Sequence, residues 1–273
     1  MVDNRTGGER RPSRGGTGDG PRGPQRQGKR PQVTTSGPGR ARSTQPQHGA
    51  AEDRNAPPIP PEIEAKQLAP DIRRELSTLD RHTADAVARH LVAAGELIDE
   101  DPEAALGHAR AARARSGRIA AVREAVGIAA YQCGDWSQAI AELRAARRMG
   151  SKSPLLPLIA DCERGLGRPE RALELARGPE AAKLTGDEAD EMRIVTAGAR
   201  ADIGQLEQAL KVLSTPQPDP TRTGTIAARL FYAYADTLLA LDRGDEALQW
   251  FLHAAEADVE GVTDAEDRVS ELG

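Results

Sequence analysis

Five histidines, two cysteines and a few adjacent carboxylates are the residues of this 273-residue chain that could carry chemistry. A metal site needs His, Cys, Asp or Glu spaced so that their donors return to one point. His48, His82, His90, His108 and His253 show no such spacing, and all but the first read as surface or groove polar residues. Cys133 and Cys162 neither build a disulfide framework nor match a zinc pattern. They read as small buried or half-buried thiols in a reducing compartment. Asp187/Glu188 and Glu266/Asp267 are adjacent acids that suit a helix start or a solvated face rather than an acid–base pair. Gly165-Leu-Gly167 lacks the preceding strand that a nucleotide turn requires, and the chain has no serine elbow, phosphate loop or dinucleotide fingerprint. The expectation is a non-enzymatic protein with no catalytic residue, no cofactor and no metal. It would act by binding.

Arginine offers a second kind of chemistry. Of 37 basic residues only five are lysine. The first fifty residues carry ten basic against three acidic side chains, a net +7, with Arg10-Arg11, Arg14-Gly-Gly16, Arg22-Gly23 and Lys29-Arg30. Arg-Gly segments contact RNA through phosphates and guanidinium stacking. Arg110, Arg113, Arg115, Arg118, Arg144, Arg147 and Arg148 form a candidate basic patch that would extend such a surface. RNA or ribosome association is therefore the alternative function, with RNA as a second partner class.

These residues must be positioned by helices. Aromatics are 3% of the chain, so Ala, Leu, Val and Ile have to supply the core, which suits closely packed helices. Residues 1–61 hold hardly an apolar side chain and read as a disordered Arg/Gly/Pro-rich basic tail. A lead-in helical segment follows over 62–85, with Ile72, Leu76 and Leu79 on one face. Asp101-Pro102, Ser153-Pro154, Asp135 (with Gln138) and Thr185 (with Glu188) carry the signals of helix starts. Gly117, Gly150 and Gly178 stand where helices would end in a left-handed cap. Over 259–273, Val262, Ala265, Val269 and Leu272 mark an amphipathic capping helix.

Between these ends the chain repeats itself. Ala105, Ala139, Ala172, Ala209 and Ala247 open second helices in similar surroundings, at spacings of 34, 33, 37 and 38 residues. Gly134-Asp-Trp-Ser-Gln-Ala139-Ile and Gly204-Gln-Leu-Glu-Gln-Ala209-Leu are two of the five matching segments. Twelve residues before each alanine stands another small residue: Ala93, Gly127, Ala160, Ala197 and Ala235. This pattern resembles the tetratricopeptide repeat family. The family's Trp is replaced by Arg89, Arg123, Leu156 and Arg193 in the first four repeats. The resemblance implies an all-α, right-handed solenoid of about five helical hairpins over 86–258.

It also implies a concave groove lined by the first helix of each hairpin. Registering the repeats places His90, Glu124, Ile128, Tyr131, Asp161, Arg164, Glu191, Arg229, Tyr232 and Asp236 there. None is the Lys or Asn with which relatives clamp a peptide carboxylate. Four acids against two arginines make this wall acidic, and residues 163–273 as a whole carry a net −10. The leading expectation is an adaptor or scaffold that holds a segment of a partner protein in the groove, with the basic tail able to visit the same acids. No apolar leader and no membrane-length run is read in the sequence, so a cytoplasmic protein without membrane contact is expected.

Overall fold

Helix starts in this chain are set by short acids placed before apolar runs. Asp80, Asp101 and Asp135 accept hydrogen bonds from the backbone N–H of Thr83, Ala104 and Gln138 at 3.0, 3.0 and 3.1 Å, respectively. Each bond satisfies a donor that the first helical turn would otherwise leave unpaired. In the computed structural model, which describes residues 56–273, the helices run in order as α1 (Pro70–Leu76), α2 (Arg81–Leu97), α3 (Pro102–Ser116), α4 (Ala120–Gln132), α5 (Trp136–Arg148) and α6 (Leu156–Gly165). They continue as α7 (Pro169–Ala176), α8 (Gly186–Asp202), α9 (Leu206–Leu213), α10 (Thr225–Ala240), α11 (Gly244–Ala257) and α12 (Ala265–Leu272). Among the described residues there is no strand, and no helix is long and apolar enough to cross a membrane. The expectations for residues 1–55, a disordered tail, its RNA contacts and its visits to the groove, lie outside the described residues.

Helices pack on their neighbours in sequence, most extensively α2 on α3, α4 on α5 and α10 on α11. The ten small residues singled out in the sequence sit at these contacts, and all ten are buried. At Gly127 the reason is visible: a Cβ would stand 2.6 Å from Leu143 Cδ2 and 3.2 Å from the Leu143 backbone nitrogen. Only a bare α-carbon lets α4 and α5 approach this closely.

The turns inside four of the pairs share one backbone pattern. After α4, α6, α8 and α10 a residue enters the left-handed region, at Gly134, Gly167, Gly204 and Asp242. The following N–H then reaches back over the helix end: Asp135 to the Ala130 carbonyl, Arg168 to Glu163, Gln205 to Arg200 and Arg243 to Leu238, at 2.8–3.0 Å. The α2–α3 turn differs, with Asp101 N–H bonded to the Leu97 carbonyl.

Several expected signals fall elsewhere. Ser153-Pro154 does not cap a helix, because the Ser153 hydroxyl is committed to Glu124 and α6 begins two residues later at Leu156. Thr185 precedes α8 without a side-chain cap. Of the three glycines proposed as left-handed caps only Gly150 is one (φ 89°). Gly117 has φ −73° because the chain there feeds directly toward α4, and Gly178 also lies outside the left-handed region. Val262 is exposed and outside α12, whereas Ala265 is buried and Val269 and Leu272 pack on the core. Before α1, Ile63 is buried and Ile59 packs against the same cluster as Leu76 and Val87.

Candidate functional site

Two residues of the candidate site each directly follow a small contact residue. Ile128 and Asp161 occupy that position on α4 and α6, following Gly127 and Ala160. With Tyr131, one turn after Ile128, they reach a cleft of about 440 Å³ shared with Glu191 on α8 and Arg229 on α10. Pro157, Leu158, Val195 and Ile226 supply apolar lining, while Asp187 and Glu188 stand at its α8 edge. Five of the ten groove residues expected from the sequence are therefore brought together.

Within the cleft the polar groups are mutually engaged. Tyr131 Oη donates to Asp161 Oδ2 at 2.6 Å, and Arg164 Nη1 donates to Asp161 Oδ1 at 2.8 Å. Arg164 also forks onto Asp202 through Nε (2.8 Å) and Nη2 (3.2 Å). Burial, with the neighbouring Asp161 carboxylate, pushes the Tyr131 phenol above its ordinary value. Burial also pushes the Glu191 carboxyl up; its ion pair with Arg229 opposes this, while Asp161 and Asp187 add to it. The lining holds four acids against one arginine, so an arriving cation would relieve repulsion among the carboxylates.

The other five expected residues are placed differently. Arg164 bonds Asp161 but lies in a neighbouring open cleft with Trp136, Gly165 and Asp202. Glu124 accepts hydrogen bonds from Ser151 (2.7 Å) and Ser153 (2.6 Å), so it tethers the loop before α6. Tyr232 and Asp236 meet the C-terminal segment: Asp236 lies 3.6 Å from Arg268, and burial together with a hydrogen bond to Asp264 pushes the Tyr232 phenol up to about 12.

His90 is a correction. It is 2% exposed, between α2 and α3, where its Nδ1 lies 3.0 Å from His108 Nδ1. Its signal was in the spacing, since Val87, Leu91 and Ala94 at −3, +1 and +4 are all buried.

Four of the seven arginines of the candidate basic patch are paired with acids. Arg113 and Arg123 share the buried Glu142, Arg144 pairs with the buried Glu163 at 2.7 Å, and Arg147 pairs with Glu180. Arg110 binds Gln138 and lies 3.7 Å from Asp135, while Arg115 reaches the His90 ring and the Ala111 carbonyl. Arg118 and Arg148 are exposed, with no acid paired to them among the described residues. The buried acids Glu142, Glu163 and Asp190 carry no marker in the sequence beyond their place on otherwise buried helix faces.

A second, almost wholly apolar cleft of about 200 Å³ adjoins the first, lined by Leu68 and Ile72, by Leu91 and Ala94 of α2 with Ile98 just after it, and by Ala125 and Ile128 of α4. Ile128 belongs to both. Burial pushes the Cys162 thiol up to about 12 and also raises that of Cys133, leaving both poor nucleophiles. Among the described residues no three of His, Cys, Asp and Glu gather to hold a metal ion. No protein-family model matches the chain, and no curated protein matches it.

Proposed function

We propose that this chain is a tetratricopeptide-like adaptor: a solenoid of about five helical hairpins whose inner cleft holds a segment of a partner protein. The observation that carries this reading is the meeting of Ile128, Tyr131, Asp161, Glu191 and Arg229, from α4, α6, α8 and α10, around one cleft. A surface assembled from successive first helices, with apolar floor and charged rim, suits an extended or helical segment better than a small reacting molecule. The four matching turns and ten buried small residues support the repeat architecture. The role is one of binding without catalysis. The pairing of Arg113, Arg144 and Arg147 with Glu142, Glu163 and Glu180 weighs against nucleic acid as the main ligand.

The test is capture from nuclease-treated lysate with the full chain as bait, run beside a Leu158→Glu/Ile226→Glu variant whose circular dichroism is unchanged. Partners that survive nuclease and are lost in the variant support the adaptor. A partner set identical for both baits, or one abolished by nuclease, contradicts it.

A further inference from the structure

The two inner clefts differ in chemistry and meet at a single residue. The cleft over α2 and α4 is almost wholly apolar, whereas the cleft over α4, α6, α8 and α10 carries Asp161, Asp187, Glu188 and Glu191 against Arg229 alone. Ile128 forms the boundary between them. Glu188 is exposed and unpaired among the described residues, so its charge is available to a ligand. Asp187 is partly answered by Arg222 at 3.0 Å.

We infer that the groove takes a bipartite protein segment, an apolar stretch followed along the groove by an Arg/Lys-rich stretch, in one orientation. The inference rests on the adaptor reading above and adds the partner's chemistry and direction. The apolar stretch lies over α2 and α4, because burying charge there would find no partner. The basic stretch lies over α6 and α8, where Asp161, Asp187, Glu188 and Glu191 line the cleft against Arg229 alone. Helix axes lie roughly 10 Å apart, so a segment crossing four first helices covers about 30 Å, or about nine extended residues.

Twelve-residue random peptides displayed on phage and selected against the full chain test this. The enriched consensus should place apolar residues on one side and Arg/Lys on the other. A synthetic consensus peptide, read by fluorescence anisotropy, should bind about fivefold more weakly to a Glu188→Lys variant and lose affinity as salt rises. A photoreactive group at its apolar end should label α2 or α4, and one at its basic end should label α8. A consensus without basic residues, an unaffected Glu188→Lys variant or reversed labelling overturns the bipartite inference and leaves the adaptor reading standing. Absence of any enriched peptide, or labelling outside both clefts, overturns the two together. Dimerisation of the full chain that Ile128→Glu abolishes would assign the groove to a second copy and also overturn the inference.

Discussion

At the residue scale the least ordinary feature is the buried His90–His108 pair. Two Nδ1 atoms 3.0 Å apart require one ring to donate and the other to accept, so the pair is satisfied only while at least one ring is neutral. Burial first, then Arg115, His108 and Arg89, lower His90 to about 4, and burial lowers His108 as well. Because the folded values lie below the unfolded one, the unfolded chain takes up more protons as pH falls below about 6.5. Stability should therefore decline between about pH 6.5 and pH 4 and be independent of this pair above it, with a loss from His90 on the order of 3 kcal/mol. Thermal melts of the wild type and of a His90→Gln variant across that range should show a shallower decline in the variant; parallel curves would remove the pair as the cause. The repeat register places His90 in the groove, three residues before Ala93, but in α2 it is buried against His108 of α3. By contrast Ile128, Tyr131, Asp161, Glu191 and Arg229 do meet in one cleft, because each stands one or four residues after, or six before, the buried small residue of its own helix, positions that share one helix face.

At the element scale, small residues let helices approach and arginines hold the connections. Replacing Ala139, which is fully buried at the α4–α5 contact, with Leu should destabilise by about 1–3 kcal/mol through overpacking. The same change at exposed Ala114 should be nearly neutral, and equal effects in urea unfolding would contradict the assigned contact. Three arginines of α2, α4 and α8 bind backbone carbonyls: Arg89 that of Ile63 (3.0 Å), Arg123 that of Gly117 (2.7 Å) and Arg193 those of Val212, Leu213 and Pro216. Arg193 also pairs with the buried Asp190 at 2.8 Å. Arg193→Met should cost about 1–3 kcal/mol, since it leaves the carbonyls and one oxygen of the buried Asp190 unpaired while Arg222 still holds the other at 2.5 Å. A loss below 1 kcal/mol would show that Arg222 alone satisfies Asp190. Helix pairing was legible because the alanines and the turn residues recur. The arginine bonds were not, since a charge on a helix face looks the same in sequence whether it meets solvent or a carbonyl twenty residues away.

At the scale of the whole molecule, charge is distributed unevenly along the chain, and the cleft lined by α4, α6, α8 and α10 shares that bias. Residues 163–273 carry 22 acidic against 12 basic side chains, and the wider cleft lies among them and the helices just before. A basic partner segment should therefore associate faster at low ionic strength, with the dissociation rate changing less. Stopped-flow association at two salt concentrations checks this, and a salt-independent on-rate would deny any steering role to the acidic half. The central claim is that the cleft lined by α4, α6, α8 and α10, and not the exposed arginines outside it, receives a protein. The most direct measurement is photo-crosslinking in cells with a photoreactive amino acid placed at Ile226 in the cleft or at the exposed Arg118 between α3 and α4. Protein adducts from position 226 and none from position 118 are the predicted result. Adducts confined to position 118, or nucleic acid recovered in place of protein, would contradict the account.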